Sequence, residues 1–348
     1  MNKHQFSKKT SNKENTQSLI GMKVFLQHQI PAETNQALQA ELSKISLDLE
    51  NITEEKLRQL GQIIQQLLPK EILQSLKQLT KPHGLPFLVI HNLPIDDKLG
   101  KPPVDGKRPQ HKITDISEKI LLGISAASSL LPLAYKQEKG VLVQEITPVP
   151  GKERSLSNEG SVSLGYHTDE AILKRCYRPE FLFLLGLIND SNTPTYIAEL
   201  NKAFAELSPR HRYLLQQPLF RVELPGSFNL WNGKVIQSEL RPLVTENHNG
   251  ELEIAAKLYA IKSITKEAKT AVDALIDVLP YVSQAVTLQR GDMLLFDNSK
   301  CLHGRAAISQ TGDRWLQRLF CRRSLMDIRR ATDCYNGFVF DIKFLVLE

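Results

Sequence analysis

Gly165-Tyr166-His167-Thr168-Asp169-Glu170 is the stretch on which the reading of this chain turns. A histidine and a carboxylate two residues apart project from one face of an extended strand, or across its end. His167 and Asp169 can therefore reach one metal ion from one side. Alone, the H-x-D tripeptide is weak. In a chain with 9 histidines it reads equally well as a hydrogen-bonded histidine and a surface aspartate beside a turn. The weight shifts with His303, which follows the turn Arg290-Gly291-Asp292, the apolar run Met293-Leu294-Leu295-Phe296 and a polar segment. That order delivers the histidine to a strand end, and Gly304 beside it allows close backbone approach. Folded back onto His167 and Asp169, it completes a 2-His-1-carboxylate set, the ligand set of non-haem Fe(II) oxygenases, with coordination positions left open.

Beyond His303, Thr311-Gly312-Asp313 marks a turn and Arg314-Trp315-Leu316-Gln317-Arg318 begins a further strand. Arg314 and Arg318 are four residues apart and face the same side of an extended strand. Two guanidinium groups directed into a pocket are costly unless an anion meets them. Their planar fork suits the far carboxylate of a dicarboxylate co-substrate. Without His303 the pair reads as a surface charge stripe.

The rest of the chain supplies the setting. Its 348 residues suit one large domain or two small ones, and 41% hydrophobic with 24% charged residues indicates a true core. The net charge of +6 is spread over the tail (Lys3, Lys8, Lys9, Lys13), the loop from Lys101 to Lys112 and the region after Arg314. No cluster interleaves basic and aromatic residues as nucleic-acid binding requires, so the milder inference is attraction for small anions. Cys176, Cys301, Cys321 and Cys334 form no C-x-x-C pair and no zinc spacing, which suits reduced thiols in the cytoplasm. The longest strongly apolar run, Phe181 to Ile188, is far too short to span a bilayer.

Residues 1–20 are polar and read as a disordered tail. From Pro31 to Leu79 the spacing predicts helices, with a cap at Thr53 and a break at Pro69, followed by a buried strand at Phe87 to Ile90. Ile113 to Leu131 again predicts a helix, its small residues Gly123, Ala126 and Ala127 permitting close packing and Pro132 ending it. After Tyr135 short strands dominate: 141–146, 181–188, 195–200, 219–224, 252–261, 286–288, 293–296 and 315–321. One helix interrupts them, Thr265 to Leu279, ended by Pro280. Such a series implies an antiparallel sandwich or barrel with helices outside. The predicted layout is a helix-rich part over 21–135, a strand core over 136–325 and a C-terminal extension over 326–348, all in one domain. The N-terminal helices suit packing on the core or a homodimer interface equally. Residues 224–250, rich in turn signals, suit a lid or an ordinary surface connection.

These segments together resemble the clavaminate synthase-like family of Fe(II)/2-oxoglutarate-dependent oxygenases, especially its amino-acid hydroxylases. The resemblance runs from about Leu85 to Arg323 through LPFLVI (85–90), QEITPVPGK (144–152), YHTDEA (166–171), the run from Gly291 to Arg305, and DRWLQR (313–318). It implies a mainly β fold, a double-stranded β-helix (jelly-roll) core with flanking helices. It implies His167, Asp169 and His303 as ligands of Fe(II), with no catalytic side chain beyond them. Arg314 would hold the distal carboxylate of 2-oxoglutarate, assisted by Thr195, while Arg318 would assist there or contact the substrate carboxylate. Gln144 and Asn158 match positions that hold the substrate's backbone groups. Several relatives carry Glu where this chain has Asp169; the retained carboxylate points away from halogenation. The implied reaction is O2-dependent hydroxylation of an unactivated C–H of a free amino acid, releasing succinate and CO2.

Substrate choice rests on thinner signals. Glu170 beside the metal ligand, and Glu239 and Glu246 in the 224–250 segment, are placed to meet an ammonium or a basic side chain, which favours lysine or arginine types. Three alternatives stay open: a taurine-dioxygenase-like small-acid oxygenase, a hydroxylase of a carrier- or peptide-bound residue, and a metal-free barrel that only binds a ligand. The chain has no G-x-S-x-G elbow, P-loop or G-x-G-x-x-G. No nucleic-acid or membrane partner is expected.

Overall fold

The computed structural model describes residues 25–223, 237–309, 312–343 and 345. Its core is two open sheets that exchange strands. The larger runs in the order Gln27–Gln29, Phe87–His91, Met293–Asp297, Phe181–Asn189, Arg314–Arg322, Leu131–Tyr135, Val339–Phe340, with Val143–Ile146 also paired along Arg314–Arg322. The smaller runs Gln284–Val286, Thr195–Glu199, Cys301–Arg305, Leu164–His167. Pairing is antiparallel except at the two ends of the larger sheet, where Gln27–Gln29 and Val339–Phe340 add parallel strands. The chain passes from Met293–Asp297 in the larger sheet to Cys301–Arg305 in the smaller and back to Arg314–Arg322. His303 and the two arginines thereby come from facing layers.

Phe181–Asn189 sits inside the larger sheet with nearly every residue buried, as its continuous apolar sequence requires. Helices Glu54–Leu67 and Ile116–Ala127 cover that sheet in one apolar cluster. The two helices touch through small residues: a Cβ on Gly61 would lie 2.9 Å from the Ala126 Cβ, and one on Gly123 2.8 Å from Ile64. A second cluster packs Leu200–Ala205, Pro209–Leu215 and Lys266–Val282 onto the smaller sheet. Thr53 caps its helix by accepting from the Lys56 amide, and Thr265 does the same for Ala268.

Several predicted boundaries give way. Pro132 lies within the strand Leu131–Tyr135, not at a helix end; the helix stops at Ala127. Proline is tolerated there because that stretch pairs only with Arg314–Arg322, the Val339–Phe340 pairing beginning at Ala134. Pro280 stands inside the last turn of Lys266–Val282, where the Ser283 amide still reaches the Leu279 carbonyl at 3.0 Å. The predicted strand over 252–261 is two short strands, Leu252–Ile254 and Ile261–Ser263, separated by a 3-10 turn. The predicted tail and residues 224–236 of the predicted lid lie outside the described residues. The remainder of that segment contains the strand Val244–Glu246, hairpinned with Leu252–Ile254, and both Glu239 and Glu246 are exposed.

Candidate active site

Antiparallel pairing of Cys301–Arg305 with Leu164–His167 sets His303 directly opposite His167, their ring centroids 4.2 Å apart. Asp169 follows the strand end. Its Oδ1 lies 3.3 Å from His167 Nε2 and 3.7 Å from His303 Nε2, and one ligand atom from each of the three falls within 4.8 Å of the others. All three are buried. Thr168 points the other way, as alternation requires, and exchanges hydrogen bonds with Ala256. Asn298 fixes the Asp169 backbone from both sides: its Oδ1 accepts from the Asp169 amide at 2.9 Å and its Nδ2 donates to the Asp169 carbonyl at 3.0 Å.

The donor chemistry fits a divalent metal. His167 Nδ1 donates to the Gly165 carbonyl at 2.9 Å, which orients the ring so that Nε2 faces Asp169. Burial, then the neighbouring His167, pushes His303 down to about 3, so it is neutral at physiological pH. Burial alone would raise the Asp169 carboxyl, but the Arg318 guanidinium and the His167 hydrogen bond hold it far below the usual range. Two imidazoles and one carboxylate, converging and buried, make an oxygenase-type ligand set.

The two arginines part company here. Arg318 is paired with acids of its own chain: Nη1 donates to Asp169 Oδ2 at 2.6 Å, and Nη2 donates to Glu138 Oε1 at 2.5 Å and to Gln144 Oε1, while its Nε is buried without an acceptor. Its grip on Oδ2 leaves Oδ1 turned to the histidines. Arg314 meets no carboxylate among the described residues. Its Nη2 donates to Thr195 Oγ1 at 3.1 Å, and its Nε is buried without an acceptor. Burial, then the charge of Arg305, pushes Arg314 down to about 9. A buried, underused guanidinium beside a hydroxyl is suited to an incoming carboxylate.

Glu170 is buried with a left-handed φ of 53°, its Oε2 without a partner. Burial and then the Glu138 charge push its carboxyl well above the usual carboxylate range. Glu138 Oε2 is likewise buried and unpartnered. Gln144 lies in register with Arg318 at the same end of the pocket, and its Nε2 reaches the Glu138 carbonyl at 3.5 Å. Asn158 is half-buried in the 150–163 loop. Glu138 escaped the sequence reading because it sits in a turn with no periodicity to mark it. Arg305 had a signal, standing two residues after His303 on the same face, and was passed over.

Residues 133–320 match the taurine catabolism dioxygenase TauD, TfdA family. L-asparagine oxygenase of Streptomyces coelicolor is 31% identical over 256 residues, 70% of this chain and 72% of that protein. Enduracididine beta-hydroxylase of Streptomyces hygroscopicus is 25% identical over 293 residues, 76% of this chain and 84% of that protein. In fold, the chain superposes on a crystal structure of asparagine oxygenase in complex with Fe(II), 2S,3S-3-hydroxyasparagine and succinate, with a TM-score of 0.80, 24% identity, and 91% and 99% of the two chains covered. The non-heme iron oxygenase OrfP in complex with Fe, succinate and (3S)-hydroxy-L-Arg gives 0.77 at 21% identity, with 91% and 100% covered. The chain belongs to the TauD, TfdA family, the iron- and 2-oxoglutarate-dependent class of dioxygenases that its donor set had indicated.

Proposed function

We propose that this protein hydroxylates an unactivated C–H of a free L-amino acid with a basic side chain, on a double-stranded β-helix core formed by the two facing sheets. His167, Asp169 and His303 hold the iron, and Arg314 with Thr195 takes the distal carboxylate of 2-oxoglutarate. With O2, the bound Fe(II) and 2-oxoglutarate supply the C–H oxidation, releasing succinate and CO2. The chain's own residues orient and shield. Arg318 and Gln144 face the substrate's carboxylate and backbone groups, and Asn158 closes over them from the 150–163 loop. Glu170 and Glu138 offer acceptor oxygens to cationic groups; an arriving ammonium favours ionisation of Glu170, which burial otherwise opposes. Three relatives are named for asparagine, enduracididine and lysine, which supports an amino-acid substrate. Four free cysteines suit a reducing cytoplasm.

The observation that carries this reading is the buried His167–Asp169–His303 cluster beside an arginine without an acid. Its test is succinate formation from 2-oxoglutarate under Fe(II), ascorbate and air across the free amino acids, with His167→Ala as control. Turnover stimulated most by lysine or arginine, giving a product heavier by one oxygen and lost in the variant, is expected. Stimulation by taurine and none by any amino acid would overturn the substrate class.

A further inference from the structure

Arg305 is the buried cation that this reading leaves without a task. It lies two residues after His303 on Cys301–Arg305 and so shares the inward face of that strand. Directly opposite it in register stands Thr195, whose hydroxyl receives Arg314 at 3.1 Å. Paired residues of an antiparallel ladder present their side chains on one face. Arg305, Thr195 and Arg314 therefore share one corner of the pocket, with Arg305 6% and Arg314 3% exposed. Each arginine holds back a donor: Arg305 Nη1 and Arg314 Nε are buried without an acceptor. Two like charges so placed repel each other, and neither has a described carboxylate as an ion-pair partner. A bidentate anion between them satisfies both forks.

The other side of Arg305 is committed. Its Nη2 donates to the carbonyls of Gly160 and Val162 at 2.8 and 2.9 Å. These carbonyls belong to the loop that carries Asn158, which folds back on itself where the Ser161 and Val162 amides both reach the Glu153 carbonyl. The turn is tight: a Cβ on Gly160 would lie 1.9 Å from the Ser155 carbonyl oxygen. One guanidinium thus joins the co-substrate corner to the loop proposed to close on the amino acid.

We propose that Arg305 is a second anchor for the distal carboxylate of 2-oxoglutarate and, through Gly160 and Val162, the strap by which that carboxylate orders the Asn158 loop. The proposal rests on the pocket being a 2-oxoglutarate site. Its consequence is ordered assembly: the co-substrate prepares the amino-acid end, and by linkage the amino acid strengthens co-substrate binding by the same factor.

The test is anaerobic calorimetric titration of the Fe(II)-loaded protein with 2-oxoglutarate and with 2-oxopentanoate, which lacks the distal carboxylate, in wild type, Arg305→Met and Arg305→Lys. Amide hydrogen exchange over 150–163 is followed in parallel. In wild type, 2-oxoglutarate binds far more tightly than 2-oxopentanoate and protects the loop. Arg305→Met is expected to cut that preference about tenfold or more and to abolish the protection. Arg305→Lys keeps the charge and recovers part of the preference without the protection, because an ammonium lacks the fork that spans carboxylate and carbonyls. A preference and protection unchanged in Arg305→Met overturn the proposal while leaving the co-substrate site standing; protection restored by lysine overturns the strap. Failure of the wild type to bind 2-oxoglutarate overturns the co-substrate reading itself. If Arg305→Met does not fold, the lysine variant still decides, since its loss of protection at retained charge is specific to the strap.

Discussion

Arg314 and Arg318 lie on one strand, equally buried, and live in opposite electrostatic worlds. Arg318 is surrounded by Asp169, Glu138 and Gln144; Arg314 has a single threonine hydroxyl and another arginine for company. Burial makes every guanidinium costly, so the difference lies in what offsets the cost. At Arg318 the offset is built into the fold. At Arg314 no acid among the described residues supplies it. A protein that keeps one buried charge satisfied and its neighbour hungry has divided its pocket into a preorganised end and a receptive end.

The largest effect should come where both ends depend on one side chain. Asp169→Ala removes a proposed metal ligand and an Arg318 partner together. Amino-acid-stimulated succinate formation should fall to background and calorimetric Fe(II) binding should vanish; retained metal binding would break the link between the two roles. Next comes the comparison itself, read by denaturant unfolding of the metal-free protein. Arg318→Met strands Glu138 and Asp169 and should destabilise the fold by about 3–5 kcal/mol. Arg314→Met removes an unpaired charge and should be neutral or stabilising, while weakening 2-oxoglutarate about ten- to a hundredfold. Equal destabilisation by the two would break the contrast.

A smaller effect is expected from Glu138→Gln. If Glu138 receives the cationic group of the substrate, the KM for a basic amino acid rises about tenfold with the 2-oxoglutarate KM unchanged. A loss of stability at constant KM would confine Glu138 to holding Arg318. The last effect lies behind the site and touches stability, not turnover. Glu145 accepts from Trp315 and Gln317, and burial, then the Glu118 charge, pushes it from 4.5 up to about 7. The folded state therefore holds a proton that the unfolded state releases near 4.5. This contribution to stability is complete below pH 4.5 and is lost as pH rises through 7. Glu145→Gln should flatten that slope, leaving the variant more stable than wild type at pH 8 by about 3 kcal/mol. A pH-stability curve parallel to wild type would remove Glu145 from the balance.

Much of the site was legible because strand alternation is a local rule. The spacing of His167 and Asp169, and of Arg314 and Arg318, fixed shared faces before any partner was known. What alternation could not reveal was which acids would meet which arginine. Glu239 and Glu246 looked suitable by charge, yet both are exposed, while Glu138 reaches Arg318 from an aperiodic turn after Leu131–Tyr135. The proline positions failed for a related reason. Pro132 and Pro280 carry strong local penalties, but Pro132 lies where its strand has one neighbour, and Pro280 costs its helix one bond close to an end that the Ser283 amide still closes on Leu279.

From its sequence alone this chain declares the donor types of its candidate metal centre, the faces they occupy and the two arginines beyond them, since each follows from residue chemistry and a period of two. The register that sets His303 opposite His167, the pairing of Arg318 with Asp169 and Glu138 and the lack of an acid at Arg314 were decided only by tertiary structure. Coulomb and desolvation energies depend on distances between side chains far apart in sequence, and only the packing of two facing sheets sets those distances.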